Sequence, residues 1–173
     1  MYRILTFVFL SFALLSCQEK KRAAVFVDIN DTEESTLYAS SGDEVVIPFR
    51  VEGGVKYVDV KINGVGLEMI FDTGCSQTLI SVSEARYLYE KGNLTDADIL
   101  GTTKSMIADG SIVENMVVNL KEVVLDDKIL CHNVTATVSS NINAPLLLGN
   151  EVLDRLATVT IDNENESLVL KLK

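Results

Sequence analysis

Residues 57–76 read Tyr-Val-Asp-Val-Lys-Ile-Asn-Gly-Val-Gly-Leu-Glu-Met-Ile-Phe-Asp-Thr-Gly-Cys-Ser, and they are the most informative segment of the sequence. Apolar and polar residues alternate over positions 57–62, a pattern typical of a β-strand with one buried face. Asn63-Gly64 is a dipeptide preferred in tight hairpin turns, and residues 65–71 form the return strand. That strand runs directly into Asp72-Thr73-Gly74. The sequence therefore predicts a carboxylate held on a rigid support at the start of a turn.

Short strands separated by turn residues account for most of the remaining sequence. Ser81 and Glu84 have the spacing of a helix capping box, and Gly92 closes the helix that they start. A second, shorter helical stretch is predicted at residues 150–156. Further strands or apolar runs are predicted at residues 24–27, 45–49, 117–125, 129–138, 144–149, 158–162 and 167–171. The pattern predicts an all-β, closed barrel-like domain with one or two short helices.

A further hairpin is predicted at residues 102–120, with Asp109-Gly110 as its turn. Asp-Gly between two strands is a strong turn signal, and small polar residues surround it at the tip. Two interpretations are open from the residues alone. The hairpin is either a mobile flap or an ordinary surface ribbon.

Composition limits the class of protein. The chain has 173 residues, enough for one domain with a real core plus a short appendage. Apolar residues make up 47% and charged residues 23%, as in a folded globular protein. The formal net charge is −10, which argues against nucleic acid as a partner.

The N-terminus has the pattern of an export signal. Arg3 precedes an apolar run at residues 4–15, and Ser16-Cys17 follows it. This end resembles a bacterial lipobox, which predicts a signal peptide at residues 1–16 and an acylated Cys17. A plain signal peptide cut elsewhere, or an uncleaved anchor, is the alternative. Residues 17–43 then form a polar tether and residues 44–173 the folded domain, on the periplasmic or cell-surface side of a bacterial envelope.

Two further cysteines, Cys75 and Cys131, leave two interpretations open. In an oxidising compartment they can pair, or they can be two small buried side chains. Neither has the spacing of a zinc site, and His132 is the only histidine in the sequence. A metal centre or a Cys-His nucleophile therefore has little support.

Two motifs together resemble one known family, the retropepsin-like aspartic proteases. Residues 72–76, Asp-Thr-Gly-Cys-Ser after apolar Ile70-Phe71, resemble the active-site turn of these enzymes. Leu147-Leu148-Gly149, which leads into a helical stretch, resembles their second hallmark. The resemblance covers residues 45–173 and includes the Asp-Gly hairpin, where the family carries its flap. Cys75 departs from the pattern, because the family usually has alanine or another small residue there.

The resemblance implies a role for each matched residue. Asp72 is the expected catalytic residue, and the other turn residues are Thr73, Gly74, Cys75 and Ser76. The expected flap residues, which would close over the substrate, are Ala108, Asp109, Gly110 and Ser111. Thr73 is expected to bond across a dimer axis, and no cofactor is expected. A thiol beside such a turn is either redox-sensitive, where its surroundings lower its pKa, or a space-filling side chain.

Peptide hydrolysis by this route needs two carboxylates that share one proton. The sequence contains one Asp-Thr-Gly, and no other acidic residue has the same setting. A second Asp72 must come from a second chain, and a two-fold dimer places the same residue twice at its axis. The prediction is a homodimeric, membrane-tethered aspartic endopeptidase that acts on peptides or proteins. The alternative is a binding or scaffolding lipoprotein that kept the barrel without turnover.

Overall fold

A computed structural model describes residues 44–106 and 109–173, together with the backbone of residues 27–28. The predicted signal peptide, Cys17, most of the predicted tether and Ala108 lie outside the described residues. Strands dominate the described chain and are joined mainly by hairpins. The strands are β1 Val27–Asp28, β2 Glu44–Pro48, β3 Arg50–Glu52, β4 Val55–Ile62, β5 Val65–Phe71, β6 Thr78–Ser81, β7 Ile99–Met106, β8 Ile112–Leu125, β9 Ile129–Ser139, β10 Leu147–Leu148, β11 Thr158–Asp162 and β12 Ser167–Lys171.

Six of these strands form a closed ring in the order β4, β5, β10, β6, β9, β8, since β8 pairs again with β4. The pairing of β4 with β8 closes the ring, and such closure reduces the number of unpaired backbone groups in a small β-barrel. Three further strands pair with members of the ring: β7 with β8, β3 with β4, and β1 with β9. The predicted all-β, closed barrel-like fold is confirmed.

A second sheet has three strands in the order β11, β12, β2. The closing hairpin lies at the predicted positions, and β12 pairs along its length with β2. Pro48 lies in β2, an edge strand of this sheet, as expected for a residue without a backbone N–H. This sheet contributes Ile47, Leu168 and Leu170 to the same core as the barrel.

The core is apolar and draws on nearly every long strand. In β4 and β5 alternate side chains face inward, so Val58, Val60 and Met69 are buried while the polar residues between them face outward. Cys131 also belongs to this core. The domain thus obtains a contiguous interior that supports the site.

Helix α1, Val82–Glu90, begins as predicted, because the Ser81 hydroxyl accepts hydrogen bonds from the backbone N–H groups of Ser83 and Glu84. Helix α2, Asn150–Leu153, ends earlier than the predicted stretch. A short 3-10 helix, Asp96–Asp98, precedes β7. In the part of the chain that the structure describes, no helix has the length and apolar character needed to cross a membrane.

Candidate active site

Asp72 follows the last residue of β5 and opens a tight turn. The backbone N–H of Gly74 donates to Asp72 Oδ1 at 2.8 Å, and the N–H of Cys75 donates to the Asp72 carbonyl at 3.3 Å. A side chain at position 74 would place a Cβ 3.1 Å from the same carboxylate oxygen. Glycine therefore allows the backbone to approach the carboxylate and to donate to it.

β10 brings the second predicted motif beside this turn. It lies between β5 and β6, parallel to β5 with Leu147 opposite Ile70, and antiparallel to β6. The N–H of Asp72 donates to the carbonyl of Leu148 at 3.1 Å. The two motifs, distant in sequence, thus form one hydrogen-bonded unit.

Gly149 is the point where the two segments approach most closely. A Cβ at this position would lie 2.2 Å from the carbonyl oxygen of Gln77 and 2.7 Å from that of Cys75. These are backbone atoms, which cannot move aside as a flexible side chain can. The glycine of the second motif is therefore required by the close contact, and it fixes the path of the chain after Ser76.

Two residues that the sequence reasoning missed, Asn150 and Glu151, hold the turn from α2. Their backbone N–H groups donate to the carbonyls of Cys75 at 2.9 Å and of Ser76 at 3.1 Å. The Asn150 side chain also donates, from Nδ2 to the carbonyl of Thr73 at 3.1 Å. The only sequence signal for Asn150 was its position directly after Leu147-Leu148-Gly149.

The outer part of the turn faces solvent in the single chain. Thr73, Gly74 and Ser76 are exposed, and Asp72 is half-buried. The turn is held by backbone hydrogen bonds and its central residues are exposed. The Asp72 carboxylate and the Thr73 hydroxyl are therefore accessible to a molecule that binds this face.

Cys75 contributes packing to the turn. Its thiol donates to the carbonyl of Gln77 at 2.9 Å, and Cys75 and Cys131 are not joined by a disulfide. Burial raises the pKa of the Cys75 thiol, and the nearby negative charge of Asp72 adds to the effect. Since a reactive cysteine needs a lowered pKa, these surroundings favour the space-filling role over the redox-sensitive one.

The predicted flap is the end of the β7–β8 hairpin. Among the described residues, the strand pairing extends to Met106 opposite Ile112. Asp109, Gly110 and Ser111 are exposed there, and the backbone N–H of Ser111 donates to Asp109 Oδ1 at 2.8 Å. Hydrogen bonds from Ser111 lower the pKa of the Asp109 carboxyl. The return strand β8 is one continuous strand to Leu125, where the sequence suggested a separate strand from residue 117.

Among residues 44–106 and 109–173, no group of three or more His, Cys, Asp or Glu side chains lies close enough together to hold a metal ion. The arrangement at residues 72–76 instead presents one carboxylate that accepts a backbone hydrogen bond. Such a group can act as a base or an acid toward a water molecule, provided a second acid faces it.

The comparisons with known proteins agree with this geometry. Residues 58–155 match the family model described as gag-polyprotein putative aspartyl protease. The matched range includes both the Asp72 turn and the Leu147-Leu148-Gly149 motif. The structure resembles that of a retropepsin-like aspartic protease from Rickettsia conorii, with a TM-score of 0.58 and 23% sequence identity. That likeness covers 79% of this chain and 97% of the other, and it extends the shared fold beyond the matched family region. No curated protein matches the sequence.

Proposed function

The chain belongs to this retropepsin-like family of aspartyl proteases, and from that premise we propose that it is an aspartic endopeptidase working as a homodimer. The observation that carries the proposal is the turn at Asp72. β10 holds one side of this turn by hydrogen bonds, and the other side is exposed to solvent. The sequence contains this motif once. A surface half-site of this kind becomes complete when a second copy faces it across a two-fold axis.

In the proposed dimer, two Asp72 carboxylates lie close together and hold one proton between them, because two like charges at short range do not both ionise cheaply. The ionised carboxylate takes a proton from a water molecule as the water attacks the peptide carbonyl. The protonated carboxyl donates toward the carbonyl oxygen, so a tetrahedral intermediate forms. Its collapse breaks the C–N bond as the carboxyl that took the proton from water gives a proton to the leaving nitrogen, while a hydroxyl proton of the intermediate returns to the other carboxylate.

The rest of the turn has supporting roles in this proposal. The N–H of Gly74 donates to Asp72 Oδ1, which orients the carboxylate toward the axis. The exposed Thr73 hydroxyl bonds to the partner chain and holds the two turns together. Residues 108–111 close over an extended substrate and exclude water from it. The exposure of the described tip residues, Asp109 to Ser111, supports that role.

The proposed setting is the outer side of a bacterial membrane. Arg3, the apolar run at residues 4–15 and Cys17 support export, signal cleavage and acylation of Cys17. Labelled palmitate should be incorporated into the wild-type chain expressed in bacteria and not into Cys17→Ser. Equal labelling of both, or no labelling of either, would contradict the anchor and leave the catalytic proposal standing.

Asp72→Asn tests the catalytic proposal. Cleavage of a peptide library, measured from acidic to neutral pH, should fall by at least about a thousandfold, because the uncharged amide cannot accept the proton from water. Asp127→Asn is the matched control, since Asp127 is an exposed aspartate that pairs with Lys61 away from the turn. Equal cleavage by wild type and Asp72→Asn would contradict the proposal. A wild-type chain without activity would favour the scaffolding alternative.

A mixing experiment tests whether the site is shared. Wild-type and Asp72→Asn chains are denatured and refolded together in varied ratios. If each site needs two Asp72 residues, an equal mixture leaves about a quarter of random dimers active, so the activity per wild-type chain falls by about half. Activity that follows the amount of wild-type chain in direct proportion would contradict a shared site.

A further inference from the structure

Asn150 contacts the candidate active site through its side chain as well as its backbone. It is half-buried at the start of α2, directly after Gly149. Its N–H donates to the carbonyl of Cys75 at 2.9 Å, and its Nδ2 donates to the carbonyl of Thr73 at 3.1 Å. Only the second of these bonds depends on the identity of the side chain.

The Thr73 carbonyl and the Gly74 N–H belong to the same peptide unit. That unit is planar, so a hydrogen bond that holds its oxygen also fixes the direction of its N–H. The N–H points to Asp72 Oδ1 at 2.8 Å. Hydrogen bonds in series polarise one another, so a donor at the carbonyl strengthens the bond at the N–H. A continuous chain of hydrogen bonds thus runs from Asn150 Nδ2 to the carboxylate.

The Asn150 side chain does not serve its own helix. Asparagine at a helix start commonly accepts a hydrogen bond from a backbone N–H of the first turn. Here the residue preceding the helix is Gly149, and the Asn150 amide is a donor that points away to the turn. The side chain therefore acts on the Thr73–Gly74 peptide.

We propose that Asn150 is a positioning residue for Asp72, acting through the Thr73–Gly74 peptide. The inference rests on the proposed function, because its purpose is to orient a carboxylate that works as a base. The bond at Gly74 orients the Asp72 carboxylate, and Asn150 strengthens that bond. Loss of the Asn150 amide loosens the peptide and weakens the hold on the carboxylate, while the substrate-binding surface stays in place.

The test uses two variants in the full-length protein. Asn150→Ala removes the donor without adding a charge. Asn150→Asp keeps the shape of the side chain and replaces the donor by a carboxylate, which cannot donate to the Thr73 carbonyl. Asn165→Ala is the matched control, because Asn165 Nδ2 donates to Asp162 in the closing hairpin. Each variant is assayed for kcat, KM and hydrogen exchange at the Gly74 amide.

For Asn150→Ala we expect kcat to fall about three- to tenfold with little change in KM, as for the loss of one hydrogen bond. A purely structural role would raise KM as well, because a disordered turn also disturbs the substrate-binding surface. Exchange at the Gly74 amide should be faster in both Asn150 variants and unchanged in Asn165→Ala.

An unchanged kcat and unchanged Gly74 exchange in both Asn150 variants would overturn the inference. Where Asp72→Asn still abolishes cleavage, the proposed function survives that result. If the wild-type chain does not cleave peptides at all, the proposed function fails by itself. The Gly74 exchange then still decides whether Asn150 holds the peptide: faster exchange in its variants supports the positioning role, and equal exchange overturns it.

Discussion

The turn at residues 72–76 and the hairpin tip at residues 109–111 are both short connections with a glycine, but they are held in opposite ways. β10 and the start of α2 hold the turn through backbone bonds to Asp72, Cys75 and Ser76. The described bond at the tip is local, from the N–H of Ser111 to Asp109. The difference fits a rigid turn that keeps the Asp72 carboxylate in place and a hairpin tip with few restraints on its movement.

Gly149→Ala should have the largest effect on the rigid side of this comparison. Its Cβ would overlap the backbone oxygens of Gln77 and Cys75, and neither can move without disrupting the turn. We expect a loss of roughly 3 kcal/mol or more in the free energy of unfolding, as for severe overpacking. Urea denaturation of both proteins measures this loss in the free energy of unfolding. A variant as stable as the wild type would show that the two motifs are not locked together.

Asp98→Asn tests the segment directly before β7, where the β7–β8 hairpin begins. The Asp98 carboxylate is buried and accepts from the Thr95 N–H at 2.9 Å, the Thr95 hydroxyl at 2.7 Å and Lys121 Nζ at 3.1 Å. Its loss should cost about 1–2 kcal/mol at neutral pH, the range for a helix cap with a charged partner. Urea denaturation of the two proteins at pH 7 gives this difference.

The same carboxylate predicts a pH dependence. Burial alone would raise the pKa of Asp98, but the hydrogen bonds from Thr95 and Lys121 outweigh it and lower that pKa. Its stabilising effect is therefore full above the unfolded value of about 3.9 and is lost as the pH falls through the lowered folded value. Asp98→Asn should flatten this acidic part of the stability curve. An identical slope in both proteins would contradict the prediction.

Gly110→Ala makes at the hairpin tip the same substitution that Gly149→Ala makes beside the turn. Gly110 has a φ of 84°, which disfavours a side chain, but nothing lies within 4 Å of the added Cβ. The cost should be only about 1 kcal/mol, from backbone strain without overlap. A loss as large as that of Gly149→Ala would mean that the tip is as tightly held as the turn.

Asp109→Asn should have the smallest effect. The carboxylate is exposed, and an amide oxygen can accept the Ser111 N–H as the carboxylate does. We expect no measurable shift in the unfolding midpoint at neutral pH. A clear shift would show that the tip carboxylate has a partner of consequence elsewhere in the molecule.

The parts of the fold that local sequence predicts well are the ones that local interactions determine. Asn63-Gly64 adopts positive φ at both residues, as the predicted hairpin turn requires, and Ser81 caps α1. The closing hairpin also forms between the two predicted strands. The family resemblance identified residues 72–74 and 147–149 as two hallmarks, and the structure brings these segments together.

The features that the sequence did not reveal depend on contacts between distant segments. The amide of Asn150 has no partner in its own neighbourhood, and it acquires one only when the turn folds against α2. The continuous β8 is likewise set by its neighbours, because it pairs with β7 early and with β9 and β4 later along its length. Periodicity within a single segment carries no information on such pairings.

The position of β10 has a consequence for the order in which the protein is built. The Asp72 N–H and the Leu148 carbonyl are 76 positions apart in sequence, a long loop to close. Contacts of such separation form late, since most of the chain must already be arranged around them. The hairpin of β4 and β5 can form while the chain emerges, but the carboxylate acquires its support only when the C-terminal part arrives. A nascent or truncated chain therefore carries Asp72 without an organised site.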